Sequence, residues 1–552
     1  MLGCIGRKGI RAMRLIGIAG QVSPCRSAPW TWTMSGSESP PPCRRMAEGE
    51  ERMDKRRVRA IDCATVRAGD MLLSCGSVDR CLFASHRIMS LSRSLVLVAA
   101  ALASCTLGPD FVEPGADAGR GWKQSLAKER QALPDSWWTL FGDSELDRLV
   151  ERAIATNHEL AAAKARLDTA RALVGVDRAR LFPRLDLGAA ASESRASAAV
   201  AGANLDLESQ RYRSGFDLSY DLDLWGRNRR ALEAARSEAQ AAEALLDAQR
   251  LGIAAEVARQ YFLLRGLDVQ ELVLADTVAS RRESLDLELT RTEAGMSDGL
   301  ASSRARTELE LARNDLAMVQ RQRGSAEHAL AVLCGNRPSD FAVKVRDRVG
   351  GAALPVIRPG LPSEVMARRP DLRASLEKLR AANARIGVSE AEFYPRISLS
   401  GAAGFEALGA SHFLDWENRV LSLGTDLASP LFDGGERRAA SKAIRARFDE
   451  AMADHRQILL LALREVEDSL VDLKGLARSR SALDAALVSA RETRRLARER
   501  YDKGVSSYLE VVDADRSVLS IELASARVDA QQRISLVALA RAIGGGWADK
   551  EG

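Results

Sequence analysis

The sequence predicts a mixed α+β membrane protein whose chain carries the same structural plan twice. Three observations support this fold class. Two stretches 212 residues apart align without gaps, and each copy contains segments in which apolar and polar residues alternate. The remainder is rich in Ala, Leu, Arg and Glu, with only 5% aromatic residues. That composition is typical of long helices packed through narrow seams, and alternation with a period of two is typical of strands.

The first 88 residues differ from the rest of the chain. They hold six of the eight cysteines and a net charge of +7, which leaves −2 for residues 89–552. They show neither a helical nor a strand period. We interpret residues 1–88 as the product of a mis-assigned start codon or as a disordered basic extension. Because the excess positive charge is confined to them, the pI near 8.8 does not indicate a nucleic-acid-binding protein.

A secretory signal follows at residues 89–104. Arg93 supplies a positive n-region, and a short apolar core leads through small residues to Cys105. The core is too short to span a membrane as a helix. The sequence LASC that ends at Cys105 is similar to a bacterial lipobox. This resemblance implies cleavage before Cys105, acylation of that cysteine and, because Thr106 rather than Asp follows, transport to the outer membrane. The alternative is a simple cleaved signal.

An internal repeat divides the remaining chain. Residues 157–190 match residues 369–402 at twelve positions, and farther on residues 294–300 align with residues 503–509. A linker rich in proline and glycine joins the two copies. The predicted segments are a lipidated N-terminal segment at 105–135, a first repeat at 136–349, the linker at 350–364 and a second repeat at 365–552. Each repeat is predicted to contain a helix, two strands and a long helical hairpin.

Four segments alternate between apolar and polar residues, which predicts strands. In residues 216–225, Asp217, Asp221 and Asp223 lie on the face opposite Phe216. The other three segments are residues 421–431, 184–194 and 396–405. About ten alternating residues suit a transmembrane strand with one side toward lipid and the other toward a lumen, so we expect the three aspartates to face a lumen. A soluble hairpin with one solvated face would produce the same pattern.

Long helices account for most of each repeat. Residues 227–294 contain no proline, and as one helix they would extend for roughly 100 Å. In the second repeat apolar residues follow the 4-3-4-3 spacing of a coiled-coil seam, at Leu459, Leu463, Val466, Leu470 and Leu473. The second long helix should break at Gly504, where small polar residues follow a glycine.

Four strands are too few to close a barrel. An unpaired backbone group in hydrocarbon costs several kcal/mol, and eight strands is the usual minimum for a membrane barrel. If these strands cross a membrane, the protein must therefore be an oligomer. A dimer would supply eight strands and a trimer twelve, and the sequence pattern does not choose between them.

Several motifs resemble the TolC-like outer membrane efflux proteins, in particular the lipoprotein channels that partner resistance-nodulation-division pumps. They occur in the family's order at residues 137–150, 220–235, 361–387, 393–401, 430–439 and 501–519. The resemblance implies a homotrimer with a twelve-stranded outer-membrane barrel that continues as a long periplasmic helical barrel. It implies a passive exit duct for small molecules such as drugs, toxic compounds or metal ions. The implied partners are a periplasmic adaptor protein and an inner-membrane pump, and no cofactor is implied.

The same resemblance assigns roles to the two helical hairpins. Gly295 and Gly504 would lie at the hairpin tips, where they and Val505 would contact the adaptor. Leu509 would form an apolar ring that closes the periplasmic end, and Glu510 and Asp513 would form two acidic rings beside it. An ordinary solvated helix face is the alternative for the two acids. In some relatives an arginine that locks the closed state follows the tip glycine, whereas this chain has Val505 and Ser506.

No sequence pattern indicates catalysis. The five histidines are dispersed without metal-ligand spacing, and no phosphate-binding loop is present. We therefore predict that the protein is not an enzyme. The alternatives to small-molecule efflux are an outer membrane channel for type I protein secretion, a coiled-coil scaffold without a channel and a periplasmic adaptor. A scaffold would have no strands, and an adaptor would have one hairpin rather than a twofold repeat.

Deletion of residues 2–88 should leave export and function intact, because the secretory signal begins at Met89. Immunoblotting of separated membranes measures how much protein reaches the outer membrane. Loss of the protein from that fraction in the deleted form would show that the extension is a genuine part of the protein.

Overall fold

The structure is a computed structural model of the full chain. It describes residues 106–115, 119, 121–123, 133–195, 197, 208–296, 298–350 and 353–546. The chain divides into the units Met1–Val78 and Asp79–Gly552, and all described residues belong to the second unit. The predicted extension, the signal and Cys105 lie outside the described residues.

The helices and strands follow the order predicted from the repeat. The elements before and within the first repeat are α1 (Ser144–Thr156), α2 (His158–Ala179), β1 (Arg184–Arg195), β2 (Glu208–Leu222), α3 (Arg227–Glu293) and α4 (Gly299–Leu333). Those that follow are α5 (Pro362–Arg368), α6 (Pro370–Ala391), β3 (Arg396–Ala407), β4 (Arg419–Ala428), α7 (Glu436–Asp502) and α8 (Tyr508–Ala542). Corresponding helices have equal lengths, namely 22 residues in α2 and α6, 67 in α3 and α7, and 35 in α4 and α8. The repeat in the sequence is therefore a repeat in the structure.

Side-chain caps and prolines set the helix boundaries near the strands. Asp143 accepts a hydrogen bond from the Glu145 amide at the start of α1, and Asn157 caps α2 in the same way. The helices α2 and α6 end just before Pro183 and Pro395, because proline cannot continue a helix that needs its amide hydrogen. A strand begins directly after each proline.

The four strands form one antiparallel sheet in the order β1-β2-β3-β4, so β1 and β4 are its edges. The pairing of β2 with β3 joins the two repeats, with Gly215 opposite Gly404. A Cβ atom added to Gly404 would lie 2.5 Å from the Gly215 Cα atom. So close an approach leaves no room for a side chain at Gly404, which explains why glycine stands there.

The register separates apolar from polar side chains. One face, which we call the apolar face, carries Leu185, Leu187, Phe216, Leu218, Leu421, Leu423 and Leu427. The opposite polar face carries Asp186, Asp217, Ser219, Asp221, Ser398, Ser400 and Asp426, together with the two close glycines. Leu187, Leu421 and Leu423 are 71%, 84% and 77% exposed. An apolar surface this extensive on a single chain indicates contact with lipid or with another protein.

Two strand boundaries differ from those predicted. β2 begins at Glu208, well before the predicted residue 216, because polar residues on both faces of 208–215 hide the alternation. β4 runs from Arg419 to Ala428 and ends before Pro430. The coiled-coil scaffold, which requires a chain without strands, does not agree with this sheet.

The buried core lies midway along the long helices. The turn Trp137–Phe141 packs against α3, where the Phe141 and Phe262 ring centroids are 4.8 Å apart. The predicted seam contributes Val466 and Leu470, which are buried. Beside this core, Arg265 binds Asp268 at 2.5 Å and Glu145 at 2.9 Å, all within a cluster that the sequence pattern does not reveal. Breaking such a buried pair leaves an uncompensated charge, so the cluster ties α1 to α3.

Candidate functional site

Two of the three predicted strand acids lie on the polar face of the sheet. Asp217 and Asp221 are exposed residues of β2. Asp217 stands opposite Asp186 of β1 and pairs with Arg213 at 2.6 Å. Asp217 and Asp221 therefore lie on the same face as the serines and glycines, on the side of the sheet opposite the leucines.

The prediction that Asp223 is a strand acid is wrong. Asp223 follows the last residue of β2, and its carboxylate accepts hydrogen bonds from the backbone amides of Asn228 and Arg229, both at 3.0 Å. It thereby satisfies free amides in the first turn of α3. Asp433 has the same role before α7, where hydrogen bonds from Arg437 and the backbone lower the pKa of Asp433 to about 2.

The two predicted hairpin tips are turns between packed helices. Gly295 and Gly504 have positive φ angles of 71° and 70°, which reverse the chain between α3 and α4 and between α7 and α8. Val505 follows Gly504, and its side chain is exposed. Each tip is 67 helical residues away from the sheet. The tips therefore lie roughly 100 Å from the strands along the helices.

The three predicted gate residues occupy the first turns of α8. Leu509 is 41% exposed, and the side chains of Glu510 and Asp513 are also exposed. The opposite side of the same helix is buried through Val511 and Val512. Leu509, Glu510 and Asp513 therefore lie on the side of α8 that faces away from the packed core of the chain.

Contacts between the two hairpins add residues that the sequence did not identify. The Tyr501 hydroxyl, on α7, donates a hydrogen bond of 2.6 Å to Glu288 on α3. The guanidinium of Arg291 lies over the Tyr501 ring, 4.9 Å from its centroid. Burial and the Glu288 carboxylate together raise the pKa of Tyr501 to about 12. Tyr501 and Glu288 are 213 residues apart, and no local pattern indicates that they meet.

A second link joins α8 to the first hairpin. Glu308 of α4 binds Arg281 of α3 at 2.6 Å and also binds Arg516 of α8. Arg516 reaches Asp513 as well, at 4.0 Å, so one arginine contacts both a predicted gate residue and the first hairpin. On the same helix, burial raises the pKa of Asp515. Ion pairs between the hairpins thus help to position the first turns of α8.

The N-terminal segment is held where the sheet meets the helices. The Leu107 amide donates a hydrogen bond of 3.1 Å to the Trp225 carbonyl, between β2 and α3. The side chain of Arg230 is only 7% exposed and binds the Leu107 carbonyl at 3.1 Å and Asp110 at 2.9 Å. The predicted lipidation site, Cys105, lies outside the described residues.

The described residues show neither a metal centre nor a helical membrane span. They contain no group of three or more His, Cys, Asp or Glu side chains that could hold a metal ion. None of their helices combines the length and the apolar character that crossing a membrane requires.

Comparison with known proteins identifies the family. The family model described as "Outer membrane efflux protein" matches residues 149–336 and 361–545, which is more than half of the chain. The chain belongs to this family. The resemblance to the TolC-like outer membrane efflux proteins is thereby confirmed.

Individual members of the outer membrane efflux protein family match nearly over their whole length. The outer membrane protein OprJ of Pseudomonas aeruginosa is 35% identical, and the match covers 82% of this chain and 95% of OprJ. The pyoverdine export outer membrane protein OpmQ of Pseudomonas putida is 31% identical, with 83% and 98% covered. The solved structure of the outer-membrane channel OprN superposes with a TM-score of 0.75 and 31% identity, covering 80% of this chain and 100% of that one.

Tyr501→Phe should make the hairpin link weaker. The substitution removes the hydrogen bond to Glu288, and such a bond contributes about 1–2 kcal/mol to the free energy of unfolding. Because the folded-state pKa is raised from 10 to about 12, this contribution is complete below about pH 10 and is lost as the pH rises through about 12. Thermal unfolding of both proteins, followed by circular dichroism across this pH range, measures the difference.

Tyr508→Phe is the matched control for this measurement. The Tyr508 hydroxyl is hydrogen-bonded to the neutral Ser284 hydroxyl, and carboxylates such as Glu288 act on it only without a hydrogen bond. Its removal should therefore lower stability less. Equal losses of stability in the two variants would mean that the hydrogen bond to Glu288 contributes no more to the free energy of unfolding than the contact of Tyr508 with Ser284.

Proposed function

We propose that the protein is the outer membrane exit duct of a tripartite efflux system and that it exports small molecules passively. The observation that carries this proposal is the sheet. Four strands with an exposed apolar face, a polar face on the other side and two open edges continue directly into helices of 67 residues. Each chain then supplies one part of a membrane wall and one part of the tube below it.

Three copies per duct agree with this geometry and with the family. The unpaired backbone groups of β1 and β4 would pair with strands of neighbouring copies, since hydrocarbon offers them no other partner. Three sheets of four strands give a barrel of twelve, within the range of bacterial outer-membrane barrels. The helices of three copies would form the periplasmic helical barrel.

The polar face of the sheet would line the lumen. Asp217 and Asp221 lie on this face, and on the same face β2 and β3 approach closely at Gly215 and Gly404. The inner side of a closed barrel is the more crowded one, so small residues at this approach support an inward polar face. The apolar face then contacts lipid.

The start of α8 would form the periplasmic gate. Around a threefold axis, three copies of Leu509 would form an apolar constriction, and three copies each of Glu510 and Asp513 would form acidic rings. All three side chains lie on the side of α8 away from the core of the chain. Acidic rings in a narrow pore attract cations and repel anions.

The hairpin tips would contact a periplasmic adaptor protein. Gly295 and Gly504 form the turns farthest from the sheet, and Val505 presents an exposed apolar side chain beside the second turn. The adaptor would connect the duct to an inner-membrane resistance-nodulation-division pump, which selects the substrate and supplies the energy. The duct itself then needs neither an enzymatic activity nor a cofactor.

A lipid anchor at Cys105 would attach the N-terminus to the membrane. The described segment that follows it is bound by Trp225 and Arg230 at the end of β2. The first described residues would then lie at the membrane boundary proposed for the sheet, which supports an anchor at the preceding cysteine. Small-molecule efflux is favoured over type I protein secretion by relatives such as the solvent efflux pump outer membrane protein SrpC of Pseudomonas putida.

Replacing both Glu510 and Asp513 by Ala should increase single-channel conductance in planar bilayers roughly twofold or more and should weaken the preference for cations. The conductance should rise because the shorter alanine side chains would widen the constriction, and the preference for cations should weaken because both acidic rings would be lost. Recordings in KCl under an applied salt gradient measure the conductance and the ion preference together.

Glu522→Ala is the control for the gate experiment. Glu522 lies about three turns farther along α8 and pairs with Arg491 at 2.8 Å, so its loss should leave the conductance unchanged. If the double gate variant conducts like the unaltered protein, the gate does not lie at these residues.

A further inference from the structure

One end of the apolar face carries an arginine among aromatic side chains. All four strand ends that connect to helices lie at one end of the sheet, so the loop between β3 and β4 lies at the other end. In this loop Trp416 is 73% exposed, and Leu408 and Leu414 are similarly exposed. We call these three residues, together with Tyr212, Phe413 and Arg419, the loop-end patch.

The register places Arg419 and Tyr212 of the loop-end patch on the apolar face. Arg419 is the first residue of β4 and points to the same side as Leu421 and Leu423, since alternate residues of a strand share a face. Tyr212 of β2 likewise shares a side with Phe216, and its ring centroid lies 6.5 Å from that of Phe413. Arg419 and Tyr212, with the Trp416 and Phe413 rings beside them, therefore continue the apolar face beyond its leucines.

Arg419 is held in place, and among the described residues only one of its donor nitrogens has a hydrogen-bond partner. Its guanidinium lies over the Trp416 ring, 4.8 Å from the centroid, and Nη1 donates a hydrogen bond of 2.7 Å to the Trp416 carbonyl. Within the described ranges no carboxylate pairs with Arg419. Of the two acids in the loop, Asp415 lies 3.1 Å from His412, and Glu417 is exposed.

Other arginines at this end of the sheet are paired. Arg211 binds Glu406 at 3.2 Å on the polar face, and Arg195 binds Glu208 at 3.2 Å. The combination of a fixed guanidinium, donors without a described partner and an apolar surface thus distinguishes Arg419 from these neighbours.

A cation at the edge of a lipid-facing surface favours an anion at the same depth. Charged groups in hydrocarbon are costly, whereas tryptophan and tyrosine favour the headgroup region. A guanidinium binds phosphate through two parallel hydrogen bonds. We infer that the loop-end patch binds the phosphorylated headgroup of an outer-leaflet lipid, with Arg419 on the phosphate and Trp416 and Tyr212 against the apolar part. This inference rests on the membrane placement of the sheet in the proposed function.

Lipid binding by the full-length protein tests the inference. The protein is purified in mild detergent, freed of bound lipid, and titrated with bisphosphorylated lipid A or with the same lipid after removal of its phosphates, while tryptophan fluorescence is followed. The unaltered protein should bind the phosphorylated lipid roughly tenfold more tightly, and inorganic phosphate alone should not compete. Arg419→Ala should abolish this preference, and Arg419→Lys should retain part of it because the charge remains.

Arg211→Ala is the matched control, since Arg211 lies on the opposite face of the sheet and is already paired with Glu406. It should leave the preference unchanged. Equal binding of the two lipids by the unaltered protein, or an unchanged preference in Arg419→Ala, would overturn the inference.

Conductance recorded on the same preparations separates this inference from the proposed function. A conducting protein without a preference for the phosphorylated lipid contradicts the loop-end patch alone. A protein that neither conducts nor binds either lipid contradicts the membrane placement of the sheet as well.

Discussion

Unpaired backbone groups at the two edges of a sheet are the constraint on which this structure depends. Each edge presents amide hydrogens and carbonyl oxygens that must find partners, and in hydrocarbon each unsatisfied group costs several kcal/mol. Among its described residues this chain has one four-stranded sheet with both edges unpaired and one face covered with exposed leucines. The leucines suit contact with lipid, but the unpaired edges are not stable for a single copy in a membrane. Pairing copies edge to edge around a lumen would satisfy them.

The internal repeat explains how the same copies would also build the proposed tube below the membrane. Each repeat contributes two strands, a 67-residue helix and a 35-residue helix that folds back along it. The long helices would not be stable in isolation, and their stability comes from packing against neighbouring helices. That packing is concentrated midway along the helices, around Trp137 and Phe262 and the buried ion pair of Arg265 with Asp268. Toward the hairpin tips, polar contacts such as the hydrogen bond from Tyr501 to Glu288 replace the apolar packing. Such contacts suit the region proposed to form the gate.

Much of the fold could be predicted from the sequence because it is encoded by periodicity. Alternation identified the ends of the strands near Arg184 and Arg396, and the absence of proline identified the long helices. Prediction failed where an aspartate could belong either to a strand or to the cap of a helix. Asp223 continues the alternation of β2, yet it caps α3 because the free amides of a helix start compete for its carboxylate. The partners of Tyr501 and Arg265 are set by tertiary packing between distant segments, and no local spacing records them.

The number of copies in the purified protein tests the central claim most directly. The protein is extracted in mild detergent and its mass is measured by light scattering during gel filtration or by native mass spectrometry. Since one chain has too few strands to seal a pore, the account predicts a stable assembly of three chains with β structure retained. A stable monomer that keeps its sheet and forms channels by itself would contradict it.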